Sequence, residues 1–111
     1  MNTYEKLLNE YITQLNKINN KQLEQIEKII TKLKTNSKII FIGNGGSAAI
    51  SSHMAIDYSK NGNIRSISFN DASLITCLAN DYSFEDVFSK AIEMYADSDD
   101  ILFAISSSGK S

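Results

Sequence analysis

The chain lacks an excess of positive charge, a second cysteine, a second histidine and any apolar run of membrane-spanning length. Each absence removes a class of function. Eleven basic residues against thirteen acidic ones leave a net charge of −2, so nothing electrostatic favours nucleic acid. No cluster of lysine or arginine marks a membrane surface, and no stretch is long and apolar enough to cross one. Cys77 has no cysteine to pair with and His53 is the only histidine, so Cys77 reads as a small buried hydrophobe rather than an activated nucleophile. The N-terminus has no basic-then-apolar leader pattern, which makes the cytoplasm the expected compartment. At 111 residues, 42% apolar and 22% charged, the composition fits one soluble domain with a modest core.

The most informative stretch is Lys38-Ile39-Ile40-Phe41-Ile42-Gly43-Asn44-Gly45-Gly46-Ser47. A short, mostly β-branched apolar run reads as a buried strand, and the glycines after it deliver the chain through a tight turn into a helix running to Lys60. Glycine lets a ligand approach the main chain, and Asn44 and Ser47 add hydrogen-bonding groups beside the first free N–H groups of that helix. Such a turn attracts phosphate. The plainer reading is a strand-to-helix connection with Ser47 as N-cap.

Upstream, Tyr4, Leu7, Leu8, Tyr11, Ile12, Leu15 and Ile18 fall at helical spacing, with Asn2 or Thr3 as cap. Asn19-Asn20 interrupts, and Leu23, Ile26, Ile29, Ile30 and Leu33 form a second stripe. Two amphipathic helices thus occupy residues 1–36, packing on the sheet or on another subunit, and an α/β domain occupies 37–111. Within it, Asn61-Gly62-Asn63 is a turn and Ile64 to Phe69 a second strand. Ala72 to Ala79 is a short helical or irregular segment, and Asn80-Asp81 a break. Ser83 to Tyr95 is a helix opened by a capping-box-like Ser83/Asp86 pair. Asp97 to Asp100 reads as a solvated turn, and Ile101 to Ile105 as a third buried strand.

Two further features bear on chemistry. His53 and Asp57 are four residues apart, on one helical face, where they could share a metal ion or act on one substrate; a solvated helix pair has the same spacing. Ser106-Ser107-Ser108-Gly109-Lys110-Ser111 follows the third strand, and its hydroxyls and N–H groups suit a phosphate, although a frayed serine-rich tail has the same composition.

Four motifs taken in order are similar to the sugar isomerase (SIS) domain of the phosphoheptose isomerase, or sedoheptulose 7-phosphate isomerase, family. They are Gly43 to Ser47; His53-Met54-Ala55-Ile56-Asp57; Ala79-Asn80-Asp81-Tyr82 with Phe84 to Ser89; and Ile105 to Ser111. The resemblance implies a flavodoxin-like, three-layer αβα fold with a parallel sheet, preceded by two helices. It also implies a homo-oligomer, dimer or tetramer, with sites between subunits, and zinc-dependent aldose–ketose isomerisation in heptose synthesis for lipopolysaccharide or capsule.

Carried over by position, Asn44, Gly45, Gly46 and Ser47 would contact the sugar phosphate. Asn80 and Asp81 would meet the sugar, and Ser106, Ser107, Ser108 and Ser111 its phosphate. His53 and Asp57 would be metal ligands, with Asp57 also the catalytic carboxylate. Moving a proton between C1 and C2 through an enediol needs such a base, together with an acid or metal that polarises the carbonyl. Two positions depart from the family pattern: Asp57 stands where it has Glu, and Lys110 where it has Asn. The family continues for further strands and helices carrying more metal ligands, so this chain is expected to be an isomerase truncated after its third strand.

Two other readings stay open. A non-catalytic SIS module would bind a sugar phosphate or a protein partner without turnover. Gly43 to Ala48 also fits the dinucleotide fingerprint G-x-G-x-x-[GA], with Asp71 placed as the ribose-binding acid.

Overall fold

The computed structural model describes residues 2–111. The chain divides into two units, Met1–Lys32 and Leu33–Ser111. The first holds helices α1 (Thr3–Leu15) and α2 (Asn20–Thr31). Asn2 starts α1 with a reciprocal capping box: its side chain accepts from the Glu5 N–H, and the Glu5 carboxylate accepts from the Asn2 N–H, each at 2.9 Å. Asn19 caps α2 in the same sense, accepting from the Lys21 N–H at 2.8 Å. Both helices are shorter than their apolar stripes, since Ile18 falls in the turn between them and Leu33 beyond the second.

In the second unit, strand β1 (Ile39–Ile42) lies between β2 (Ser66–Ser68) and β3 (Ile101–Ala104), parallel to both. This β2-β1-β3 order is how a flavodoxin-like sheet begins. Parallel neighbours require crossovers, and these cover both faces of β1. Helix α3 (Gly46–Lys60) joins β1 to β2 and packs against both. Its Tyr58 ring meets the Phe41 ring at 5.4 Å, and Phe103 of β3 lies 5.3 Å from the Phe41 ring. The return from β2 to β3 runs through α4 (Ala72–Asp81), a single 3₁₀ turn (Phe84–Asp86) and α5 (Val87–Tyr95). Their Leu78, Val87 and Ala91 close the core over Ile40 and Phe69. Ile39, Ile40 and Phe41 are accordingly almost wholly buried, as a two-sided apolar strand must be.

Several sequence expectations are corrected here. The second strand spans only Ser66–Ser68. Asp71 caps α4 by accepting the Leu74 N–H at 3.1 Å, so the segment after it is a full helix, and Asn80-Asp81 forms its last turn rather than a break. Ser83 makes no cap: its hydroxyl donates to the Asp86 carboxylate at 2.8 Å, and the chain takes a 3₁₀ turn before α5. Cys77 is exposed rather than buried, because α4 turns Leu78 to the core and leaves its neighbour outside.

The acidic run at 97–100 is also more than a solvated turn. Asp100 is 4% exposed at its side chain and receives three donors. The Lys38 N–H and ammonium approach at 3.0 and 2.6 Å, and the Asp97 N–H at 2.8 Å. This clamp fastens the entry of β1 to the entry of β3. Burial alone would push the Asp100 carboxyl up, but these donors together outweigh it and hold it below its ordinary range. The hydrogen bond to Asp100 raises the Lys38 ammonium in turn, against the opposing effect of its own burial.

Asp100→Ala is expected to lower unfolding free energy by about 2–3 kcal/mol, read by urea titration, because it strands a half-buried lysine. The pH dependence has a fixed sign. Asp100's contribution, from a depressed pKa, is complete above about pH 4 and lost as pH falls through the folded-state value; that of Lys38, from a raised pKa, is complete below about pH 10 and lost above it. In the variant both losses should shrink.

Candidate functional site

The site begins where β1 ends. Gly43 has no room for a side chain, since a Cβ there would lie 2.7 Å from the Ser47 backbone and Cβ. Strand and helix therefore touch directly across the turn. Gly45 precedes α3 with φ 56° and ψ −121°, a conformation that L-residues with side chains avoid. It occupies the N-cap position, so Ser47 is not the cap but lies inside the first helical turn. The Ser47 N–H closes onto the Asn44 carbonyl at 3.0 Å, and the Ala49 N–H onto Gly45 at 3.1 Å. The N–H groups of Gly46 and Ala48 have no partner among the described residues. Free donors at a helix N-terminus favour an anion.

The loop after β3 comes to the same place. The Ile105 N–H extends the sheet by bonding the Ile42 carbonyl at 2.9 Å. The Ser106 hydroxyl accepts the Gly109 N–H at 2.9 Å, and the Ser108 hydroxyl the Lys110 N–H at 3.1 Å. Each hydroxyl so engaged keeps its own proton to donate.

Between the two loops lies a cleft of about 650 Å³ at the carboxyl ends of β1 and β3. Its polar rim comprises Asn44, Gly45, Asn70, Glu85, Ser106, Lys110 and Ser111, and apolar walls come from β1, β3 and the 3₁₀–α5 segment. In this topology the chain leaves β1 and β3 in opposite senses, and ligands bind at that point.

The cleft therefore gathers four of the expected residues: Asn44, Gly45, Ser106 and Ser111. Gly46 and Ser47 adjoin it in the first turn of α3, and Ser107 and Ser108 complete its serine loop without lining it. Asn80 and Asp81, bonded to each other at 3.2 Å, sit on the last turn of α4 outside it. His53 and Asp57 also lie outside, about 10 and 16 Å along α3 from its start at 1.5 Å per residue. They pair with each other, His53 Nε2 to Asp57 Oδ2 at 3.2 Å, with 77% and 43% of their side chains exposed.

These two donors do not by themselves fit a zinc ion. A structural or catalytic zinc takes three or four protein ligands, and no group of three or more His, Cys, Asp or Glu able to hold a metal occurs among the described residues. Cys77 offers no alternative, because the hydrogen bond to Asp81, followed by that residue's charge, pushes its thiol up, away from the reactive thiolate.

Sequence reasoning passed over Asn70, Glu85 and the placing of Lys110 on the rim. Asn70 was marked by its position at the end of a strand, beside the cap of the next helix. Its amide donates to the Ala48 carbonyl at 2.7 Å and the Ser52 hydroxyl at 2.6 Å, so it secures the first turns of α3 that present the free N–H groups. Asp71, the acid a dinucleotide site would need, is committed to capping α4.

The family model for the SIS domain matches residues 3–111. The chain belongs to the SIS domain family. Among its relatives, phosphoheptose isomerases, the SIS chain is 42% identical over 88 residues to that of Cytophaga hutchinsonii, covering 75% of this chain and 46% of the relative. It is 39% identical over 98 residues to that of Fusobacterium nucleatum, covering 82% and 48%. The solved phosphoheptose isomerase GmhA from Neisseria gonorrhoeae superposes with a TM-score of 0.83 at 29% identity, covering 99% of this chain and 64% of that one. The chain spans about half the length of the curated relatives it matches. No helix among the described residues is long and apolar enough to cross a membrane.

Gly43→Ala and Gly45→Ala test the turn separately. The first should clash with α3 and the second strain the backbone, each costing about 1–3 kcal/mol in chemical denaturation. Gly45→Ala with unaltered stability would contradict a φ of 56° at that position.

Proposed function

We propose that this SIS chain is the N-terminal part of a phosphoheptose isomerase, interconverting sedoheptulose 7-phosphate and D-glycero-D-manno-heptose 7-phosphate in the cytoplasm, for lipopolysaccharide or capsule. The observation that carries the reading is the convergence of the glycine turn after β1 and the serine loop after β3 on one cleft. Free N–H groups on one side and serine hydroxyls on the other suit a phosphate ester, and anchoring the phosphate positions the sugar for proton transfer.

In this reading Asn44, Gly45, Gly46 and Ser47 contact the substrate, Ser106, Ser107, Ser108 and Ser111 hold the phosphate, and Asn80 and Asp81 meet the sugar. Asp57 is the base that moves the proton between C1 and C2, paired with His53. Because both lie exposed and outside their own chain's cleft, they would serve the cleft of a second copy, which makes a homo-oligomer, dimer or tetramer, part of the proposal. Zinc is expected from the family resemblance, but His53 and Asp57 are too few to hold it and no step is assigned to it.

The same exposure favours a second reading, a sugar-phosphate-binding module without turnover. Calorimetric titration of the chain with sedoheptulose 7-phosphate, with and without zinc and beside an isomerisation assay, separates the two: binding with turnover supports the isomerase, binding alone the module. Ser106→Ala should weaken binding about tenfold; unchanged affinity would sink the phosphate assignment. Because two ligands are too few, the chain by itself should take up no stoichiometric zinc, measured as bound metal per chain; one zinc per chain would overturn that count of ligands.

A further inference from the structure

The cleft is nearly free of ionisable side chains, and its two are of opposite sign: Lys110 on the loop after β3 and Glu85 on the 3₁₀ turn between α4 and α5. Both are exposed. Neither forms an ion pair among the described residues, whereas Lys34, Lys38 and Lys90 all do. The Lys110 backbone N–H donates to the Ser108 hydroxyl at 3.1 Å, so the residue is held in the serine loop that borders the cleft. Glu85 is carried by a turn whose next residue, Asp86, is engaged by Ser83. Both residues line the cleft, so both charges bear on anything bound there.

We propose that Lys110 and Glu85 set the charge selectivity of the cleft, Lys110 supplying a cation for one phosphate and Glu85 turning away ligands with a second anionic group. The ligand class this selects is a singly phosphorylated, otherwise uncharged polyol or sugar; bisphosphates and phosphorylated sugar acids are disfavoured. The assignment rests on the reading of the cleft as a phosphate-ester site, and adds to it residues outside the glycine turn and the serine hydroxyls.

Titrations of the chain with sedoheptulose 7-phosphate and sedoheptulose 1,7-bisphosphate, at low and high sodium chloride, test it with the variants Lys110→Gln, Lys110→Arg and Glu85→Gln. The unaltered chain should prefer the monophosphate. Lys110→Gln should weaken it about tenfold and flatten the salt dependence, while Lys110→Arg keeps that dependence. Glu85→Gln should narrow the gap between the two ligands about fivefold. An unchanged ratio in Glu85→Gln, or unchanged affinity and salt dependence in Lys110→Gln, overturns the selectivity while leaving the phosphate site standing. No monophosphate binding by the unaltered chain overturns both.

Discussion

The second unit depends on one constraint: β1 is apolar on both faces and must be covered on both. Ile40 belongs to the core under α4 and α5, while Phe41 stacks against Tyr58 of α3 and Phe103 of β3. A strand buried in this way takes parallel partners, and parallel partners require crossovers on opposite faces. Those crossovers leave the carboxyl ends of β1 and β3 facing a common space. The cleft is thus a by-product of hiding Ile39, Ile40 and Phe41 from water.

The Lys38–Asp100 clamp works at the other end of the same strands. Structure-holding charge sits where the strands enter, and the serine loop and the free N–H groups of α3 where they leave. Gly43 tightens the arrangement, since only a residue without a Cβ allows α3 to start directly against the strand.

Much of this was legible in the sequence, and the remainder was not for physical reasons. The β1 run and its glycine turn stood out because two-sided burial and positive φ each demand particular residues. The cap at Asn2 was equally visible, whereas Asn19 read only as an interruption, because an Asn between two helical stripes marks a turn as readily as a cap. Asp100 was misread because a run of acids is ordinarily solvated; only the fold brings Lys38 to it across 62 positions. Asn80-Asp81 resembled a break because both residues favour turns, yet the helix begun by Asp71 carries through them. Of the site, the spacing of His53 and Asp57 was readable, but a helical period says only that two residues share a face, not that the face looks into their own chain's cleft.

The serine loop after β3 has one more consequence. Ser106 and Ser108 already hold the backbone N–H groups of Gly109 and Lys110, so the segment is folded on itself before any ligand arrives. Ordering a loop on binding consumes free energy that would otherwise appear as affinity. Here that ordering is done during folding, by hydroxyls that still retain protons to give, so the loop beside the cleft needs no further organisation of its backbone for anything that binds there.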